Sequence, residues 1–492
     1  MKFREAAIVS GGLLVQQATV FATGIIVARQ LGAGDFGTLG TLKSLSTVLV
    51  ILTPLGLDLA LLKHASFYRE RLSELKATSR ALRVVAAAIN VLLLVLVAAW
   101  LGPALQHIYR EIPDFSNLCV ITMLGLVFAA DIQISGALYR VFDRVVLYAL
   151  IVNYGQPVLR LVLSCLVLLA GFGLQGIVWV NTMALLGTYL VIFCYDRKDR
   201  APALSVRARP LAAKVGAILS ESLWMAMSLL VYQAMRLADI IVLAAMTTPQ
   251  ITGEYTAMSS VAQLIQIYPT ALSQTLGPRI ALFYRQGDTT GVVTELRSYL
   301  RKASMLGGYL FGGVAVFGTD LDLVFGKGFD FSWMLAFFLA TGWYVSATLA
   351  PLGYVLSMTG RHRQEVAILS AGAATLIICL MVLIPPLAAV GAALAVAIAF
   401  ALVNMGRAAY VIKVLGVNPL QLKDLTPPIA FLVSAFLCRQ LGALIGDRRL
   451  ATLVLECAAY SALAAVVLLA LLANAAERQA LSEVLGRKRR MT

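Results

Sequence analysis

Four cationic side chains lie well inside long apolar segments of this sequence, where charges are rare: Arg29, Lys43, Arg160 and Arg236. A cation left facing hydrocarbon costs at least ~2.5–3.5 kcal/mol, so such residues normally face a bundle interior or a water-filled cavity. There they need an anionic partner, and guanidinium and ammonium groups form their strongest hydrogen bonds with anions. These residue types in this setting predict a cavity that binds a negatively charged ligand.

The four cations differ in how readily another explanation accounts for them. Arg29 and Lys43 lie near the ends of their segments, from where long side chains reach the membrane surface. Arg236 stands three residues before Asp239, so a local ion pair is an alternative for it. Arg160 lies about fourteen residues into its predicted helix, or ~21 Å at 1.5 Å per residue, with no carboxylate within four residues. We therefore expect Arg160 to be the principal ligand-binding residue.

Carboxylates also fall inside predicted spans, and they suggest two roles. The four main ones, each a candidate for coupling or for structure, are Asp58, Asp131, Glu221 and Asp239; Glu456 is a weaker fifth. Asp58 and Asp131 could pair with Arg160 as a static strut, or titrate as part of cation coupling. Both readings stay open, so coupling to a proton or sodium gradient stays open too. The scattered histidines and cysteines predict no metal site and no cofactor.

The composition predicts an all-α polytopic membrane protein. Of 492 residues, 60% are hydrophobic and only 13% charged, against roughly 25% charged in soluble domains. At ~20 apolar residues per span, hydropathy gives about 14 helices. They are predicted at 6–30, 37–64, 81–105, 116–139, 146–170, 174–195, 213–246, 255–283, 300–318, 333–358, 366–386, 388–412, 426–445 and 450–474.

The distribution of lysine and arginine predicts the orientation. On one side the connecting segments carry 31 of these cations, and on the other only five. By the positive-inside rule, both termini are cytoplasmic. The net charge of +15 is then mainly a topology signal and secondarily a surface for anionic membrane lipids; nothing further indicates a nucleic-acid partner. Arg439, Arg448 and Arg449 break the rule near the last two helices.

Three short segments recur in the same order and indicate an internal repeat. Residues 7–10 (AIVS) recur at 217–220 (AILS), 34–36 (GDF) at 253–255 (GEY), and 174–177 (LQGI) at 389–392 (AVGA). A period of about 215 residues spans six helices, so both copies share one orientation about a pseudo-twofold axis along the membrane normal. We predict an N-terminal lobe at 1–212, a C-terminal lobe at 213–415, two further helices at 416–475 and a basic cytoplasmic tail at 476–492.

Two enzyme-like motifs are discounted. Residues 32–37 (GAGDFG) match GxGxxG, but no strand precedes them as a dinucleotide site requires. Residues 320–322 (DLD) resemble a DxD motif, yet the charge bias places them outside, away from nucleotide sugars. The chain has no P-loop lysine motif, and its external loops are short. We therefore expect a protein that is not an enzyme.

The N-terminal sequence resembles a known family. Residues 26–32 (IVARQLG), 35–37 (DFG) and 56–61 (GLDLAL) resemble the start of the Wzx-type polysaccharide flippases, which carry O-antigen and related units. These belong to the multidrug/oligosaccharidyl-lipid/polysaccharide exporter superfamily. The resemblance implies two helical bundles in the bacterial inner membrane that move an undecaprenyl-diphosphate-linked oligosaccharide to the periplasmic leaflet, by alternating access through a cation-lined cavity. Polysaccharide polymerase and export machinery are implied partners, and lipopolysaccharide or exopolysaccharide the implied products.

Three alternatives remain. A peptidoglycan lipid precursor flippase also has fourteen helices, whereas a drug or cation antiporter of the same superfamily usually has twelve and favours an acidic cavity. A membrane glycan polymerase or ligase is more distant, because a long external loop bearing functional Arg and His is missing here.

Overall fold

The structure is a computed structural model, and it describes residues 3–52, 72–141, 144–198, 230–231, 233–267, 276–277, 279–280, 282–326, 328–421, 426–443 and 450–489. Within these ranges the chain is helical and contains no strand. The helices are α1 Phe3–Leu52, α2 Leu72–Leu96, α3 Gly102–Ile108, α4 Phe115–Val141, α5 Val145–Tyr148, α6 Gln156–Leu169, α7 Gly173–Lys198, α8 Pro249–Ala262, α9 Thr289–Phe317, α10 Asp322–Phe325, α11 Trp333–Leu349, α12 Pro351–Met358, α13 His362–Leu415, α14 Thr426–Ala443 and α15 Leu450–Arg489. A further helix covers residues 233–246.

Long apolar helices dominate the described part of the chain, in agreement with the predicted fold class. Nine of them are long and apolar enough to cross a membrane. Two contain a single break that separates two predicted spans: α1 breaks at Gly32 (φ 81°) and α13 at Ala388 (φ 47°). Glycine adopts a positive φ without steric cost, and Pro385 and Pro386 precede the break at Ala388. The total of 14 spans stays a prediction.

Two π-helical segments each connect a pair of α-helices into one longer helix. Residues Val97–Leu101 join α2 to α3, and residues Ala149–Gly155 join α5 to α6. A proline follows each within two residues, at Pro103 and Pro157. Proline lacks an N–H and cannot continue the regular ladder, which accounts for the irregular turn before it. The irregular turn before Pro157 is therefore a π-helical segment.

Contacts divide the chain into two compact units. The first comprises Met1–Ala257 with Phe325–Phe329, and the second comprises Met258–Val324 with Asp330–Thr492. The core of the first unit contains side chains from α1, α4 and α7, among them Leu42, Phe115 and Val178. The second unit has a core that joins α9, α12 and α13, and another that joins α9, α14 and α15. The predicted lobe boundaries stay a prediction.

Structural breaks recur at the predicted period. Gly32 interrupts α1. About 216 residues later, residues 247–248 form a break between the helix at 233–246 and α8. Gly171 (φ 80°) separates α6 from α7, and Ala388 breaks α13 217 residues later. Gly176 and Gly391 lie close to the helix before each of these turns. The repeat inferred from three short matches is therefore visible in the backbone.

Arg439, which broke the charge rule, has a structural partner. Its guanidinium donates from Nη1 to Asp320 Oδ2 (2.9 Å) and from Nη2 to Asp320 Oδ1 (3.3 Å), and Nη1 also donates to the Val316 carbonyl. The side chains are 23% and 8% exposed. The discounted DxD motif thus provides the carboxylate that neutralises Arg439, so this arginine says little about topology.

We predict that Asp320→Asn destabilises the protein by about 2 kcal/mol. This is less than the ~3–5 kcal/mol for a fully buried pair, because Arg439 keeps some contact with solvent. The double variant Asp320→Leu/Arg439→Met should unfold closer to the wild type, since it leaves no unpaired charge. Thermal unfolding in detergent checks this; a single variant as stable as the double one would contradict it.

Candidate functional site

Two of the predicted cavity cations meet in the first unit. Lys43 lies in α1, eleven residues beyond the break at Gly32, or ~16 Å along the helix. Arg160 lies in α6, where it is close enough to Lys43 for the two charges to repel each other. Like charges inside a membrane protein are costly unless an anion or water compensates them. These two residues therefore form the centre of the candidate site.

The position of Arg160 follows from the irregular helix that carries it. The π-helical segment Ala149–Gly155 adds a residue to one turn, and Pro157 begins the regular helix α6. The Arg160 side chain is half-buried, and its Nε is fully buried with no hydrogen-bond partner among the described residues. A buried guanidinium nitrogen without a protein partner is a group that a bound ion satisfies.

Lys43 points into open space from a helix whose own polar groups are satisfied. Its side chain is exposed, although its neighbours Leu42 and Ser44 are buried. The Lys43 carbonyl accepts hydrogen bonds from the hydroxyls of Ser46 (2.9 Å) and Thr47 (2.7 Å). No carboxylate in the described ranges forms an ion pair with Lys43 or Arg160, so the pair can bind an anion.

Arg29 lies apart from this pair. It is three residues before Gly32, near the end of the first arm of α1, and its side chain is exposed. A Cβ built on Gly326 would lie 3.2 Å from Arg29 Cγ, so the arginine packs against that loop. A role for Arg29 in the cavity stays a prediction.

Arg236 and Asp239 interact locally, as their spacing of three residues in one helix predicts. Asp239 is 1% exposed, and its Oδ2 accepts a hydrogen bond from the Tyr255 hydroxyl at 2.6 Å. Its Oδ1 accepts the Ile240 N–H at 2.9 Å, and the charge of Arg236 acts on it from one turn away. These contacts join residues 233–246 to α8, which favours the structural reading of Asp239.

Asp131 pairs with a cation at the beginning of the predicted helix 81–105. Arg83 in α2 lies 3.4 Å from Asp131 (Nε to Oδ1) and 3.4 Å from Asp196 in α7 (Nη2 to Oδ2). Arg83 Nη2 also donates to Ser135 Oγ at 2.8 Å, and the Tyr139 hydroxyl donates to Asp196 Oδ1 at 2.9 Å. Arg83, rather than Arg160, is therefore the strut partner of Asp131. Arg83 lies at the start of the predicted helix 81–105, beside the basic residues of the preceding connecting segment. The sequence alone therefore gave little indication that it pairs with Asp131.

The remaining predicted carboxylates, Asp58 and Glu221, lie outside the described residues. Within the described ranges, no group of three or more His, Cys, Asp and Glu side chains could hold a metal ion. The arrangement thus offers two cations for an anion, one ion-pair cluster and one buried carboxylate.

Solved structures show where this fold occurs. The chain is similar to the lipid II flippase MurJ in its inward closed conformation, with a TM-score of 0.70, 12% identity, and coverage of 94% of this chain and 99% of that one. It is also similar to an inward-facing multidrug resistance MATE family transporter of the MOP superfamily (TM-score 0.66, 15% identity, 83% and 99% coverage). A third similar structure is the D35N mutant of the Vibrio cholerae MATE transporter VcmN, with a TM-score of 0.58, 14% identity, and coverage of 85% of this chain and 97% of that one.

Sequence comparison identifies the family. Curated proteins give no match. The family model described as "Polysaccharide biosynthesis protein" matches residues 3–283, which include Lys43, Arg160 and the aligned breaks at Gly32 and residues 247–248. This is more than half of the chain and agrees with the resemblance drawn from residues 26–61. The chain belongs to the polysaccharide biosynthesis protein family.

Proposed function

We propose that this protein is a flippase that moves an undecaprenyl-diphosphate-linked oligosaccharide from the cytoplasmic to the periplasmic leaflet of a bacterial inner membrane. The observation that carries the proposal is the Lys43–Arg160 pair. Two cations repel each other in membrane helices and have no carboxylate partner in the described residues. Membership of the polysaccharide biosynthesis family supports a lipid-linked glycan as the cargo.

A diphosphate suits this pair better than a single carboxylate does. It carries at least two negative charges and several acceptor oxygens, so it offsets both cations at once. Arg160 provides a planar fork that binds two oxygens, whereas Lys43 acts as a point charge. In a site shielded from bulk water these interactions are stronger than at a surface.

The sugars and the polyprenyl tail of the cargo are expected in different environments, because the sugars are polar and the tail is apolar. The sugars occupy the water-filled cavity, and the polyprenyl tail remains in lipid, with α14 and α15 as its groove by analogy with flippases of this fold. Membrane lipids, polysaccharide polymerase and export machinery are the proposed partners. Cytoplasmic termini follow from the charge bias. Coupling of export to a proton or sodium gradient through a membrane carboxylate is tested below at Asp131.

The test of the function is to deplete the protein and determine which leaflet holds the lipid-linked oligosaccharide. Accumulation on the cytoplasmic face, with loss of surface or secreted polysaccharide, supports the proposal. If the intermediate that accumulates is the peptidoglycan precursor, the alternative flippase is correct. Normal delivery of an oligosaccharide that then stays short or unattached would instead assign a polymerase or ligase.

Replacing Arg160 should abolish most export without loss of protein. We expect Arg160→Ala to reduce export at least about tenfold, because a hydrogen bond to a charged group contributes about 1.5–3 kcal/mol. Arg160→Lys should be nearly as damaging if both guanidinium nitrogens bind the diphosphate. Arg140→Ala, which removes an exposed arginine at the end of α4, is the matched control. Export is measured as surface polysaccharide at equal membrane levels, and normal export by Arg160→Ala would remove this residue from the site.

Asp131→Asn distinguishes a strut from a coupling group. Because Arg83 keeps Asp196 as a partner, we expect this variant to retain export and its dependence on external pH, with some loss of thermal stability. Export and melting temperature are measured at several pH values between about 6 and 8. If export stops while stability is unchanged, Asp131 couples transport to an ion.

A further inference from the structure

Two glycines bring helices α1 and α8 into backbone contact. A Cβ on Gly37 would lie 2.0 Å from the Pro249 carbonyl oxygen, and a Cβ on Gly253 would lie 1.8 Å from the Ala33 carbonyl oxygen. These obstacles are backbone atoms, so no side chain could move aside. Only glycine fits at either position while the two helices are together.

The contact is symmetric in the internal repeat. Ala33 and Pro249 are 216 residues apart, and Gly37 and Gly253 are separated by the same number. Each member of one pair touches a member of the other, as in a contact between identical subunits across a twofold axis. One turn further on, Gly40 faces Thr256, again 216 residues away; a Cβ on Gly40 would lie 3.1 Å from Thr256 Cβ. The pseudo-twofold axis predicted from the repeat therefore passes through this crossing.

Other contacts surround the crossing at the end of the helices that the charge bias places outside. Phe36 packs on Phe325 and Phe329, with ring centroids 6.4 and 6.1 Å apart. The Tyr109 hydroxyl donates to the Ile241 carbonyl at 3.1 Å, and burial raises the pKa of Tyr109 to about 12, so it stays a donor.

We propose that the glycine crossing of α1 and α8, sealed by Phe36, Phe325 and Phe329, is the external gate of the transport path. The proposal rests on the proposed function. Gly37 is six residues from Lys43 on the same helix, or ~9 Å towards the outside. Backbones in contact leave no room even for a methyl group, so an oligosaccharide bound at Lys43 and Arg160 leaves outward only after these helices separate.

Glycine suits a contact that forms and separates repeatedly. Small residues four apart, here Ala33 and Gly37, let membrane helices approach closely through van der Waals contact.

Glycine substitutions test whether the contact closes the path. In a background without the native cysteines, a membrane-impermeant maleimide added from outside probes Thr256→Cys. We expect slow labelling, and at least several-fold faster labelling when Gly37→Ala or Gly253→Ala is added. Gly34→Ala is the matched control, because a Cβ there has nothing within 4 Å and labelling should not change. Equal labelling in Gly37→Ala and Gly34→Ala would overturn the gate.

A disulfide tests whether the gate must open. Gly40→Cys/Thr256→Cys should oxidise in membranes, because a separation of 3.1 Å between the Cβ positions needs only a small adjustment to reach the roughly 3.5–4.5 Å of natural disulfides. The control is Gly125→Cys/Thr182→Cys, another glycine–threonine contact (3.1 Å from the glycine Cβ to Thr182 Oγ1), between α4 and α7. Oxidation should stop polysaccharide export only in the gate pair, and a reductant should restore it.

The outcomes separate the two proposals. If the gate pair does not cross-link, or exports normally when cross-linked, the gate is wrong. If the reduced gate pair and the wild type both fail to restore polysaccharide to depleted cells, the flippase function is wrong, whatever the labelling shows.

Discussion

Repulsion between Lys43 and Arg160 is the constraint on which the rest of the structure depends. Two cations in adjacent membrane helices are unfavourable unless water surrounds them or an anion binds them. The π-helical segment before α6 sets the position of Arg160, and the Lys43 side chain is exposed. In the proposed function, an anionic cargo stabilises the state that contains it, and this would let one small site select a lipid-linked diphosphate.

Three other groups of charges in the described residues are compensated within the protein, in contrast to Lys43 and Arg160. Arg439 pairs with Asp320, Arg83 with Asp131 and Asp196, and Arg407 with Glu365. The pair Arg407–Glu365 joins the two arms of α13 on either side of Ala388. Removal of these groups is expected to affect stability first, whereas removal of Arg160 is expected to affect transport first.

Much of the fold could be predicted, because membrane spans have a strong and simple signal. Apolar length gave the helices, and three weak matches gave a repeat that the breaks at Gly32, Gly171 and Ala388 make visible. The break at Gly32 was harder: a turn of several residues was expected, and one positive-φ glycine suffices. The site was only partly predictable. Hydropathy identified Lys43 and Arg160 as cations inside membrane helices. The partner of Asp131 and the crossing at Gly37 depend on contacts between helices that are distant in sequence, so spacing could not predict them.

The most direct test of the central claim is native mass spectrometry of the purified protein with undecaprenyl diphosphate. We expect the wild type to bind one molecule, and Arg160→Ala and Lys43→Ala to lose most of this adduct while phosphatidylglycerol adducts stay the same. Binding of undecaprenyl diphosphate that is equal in the wild type and both variants would contradict the account.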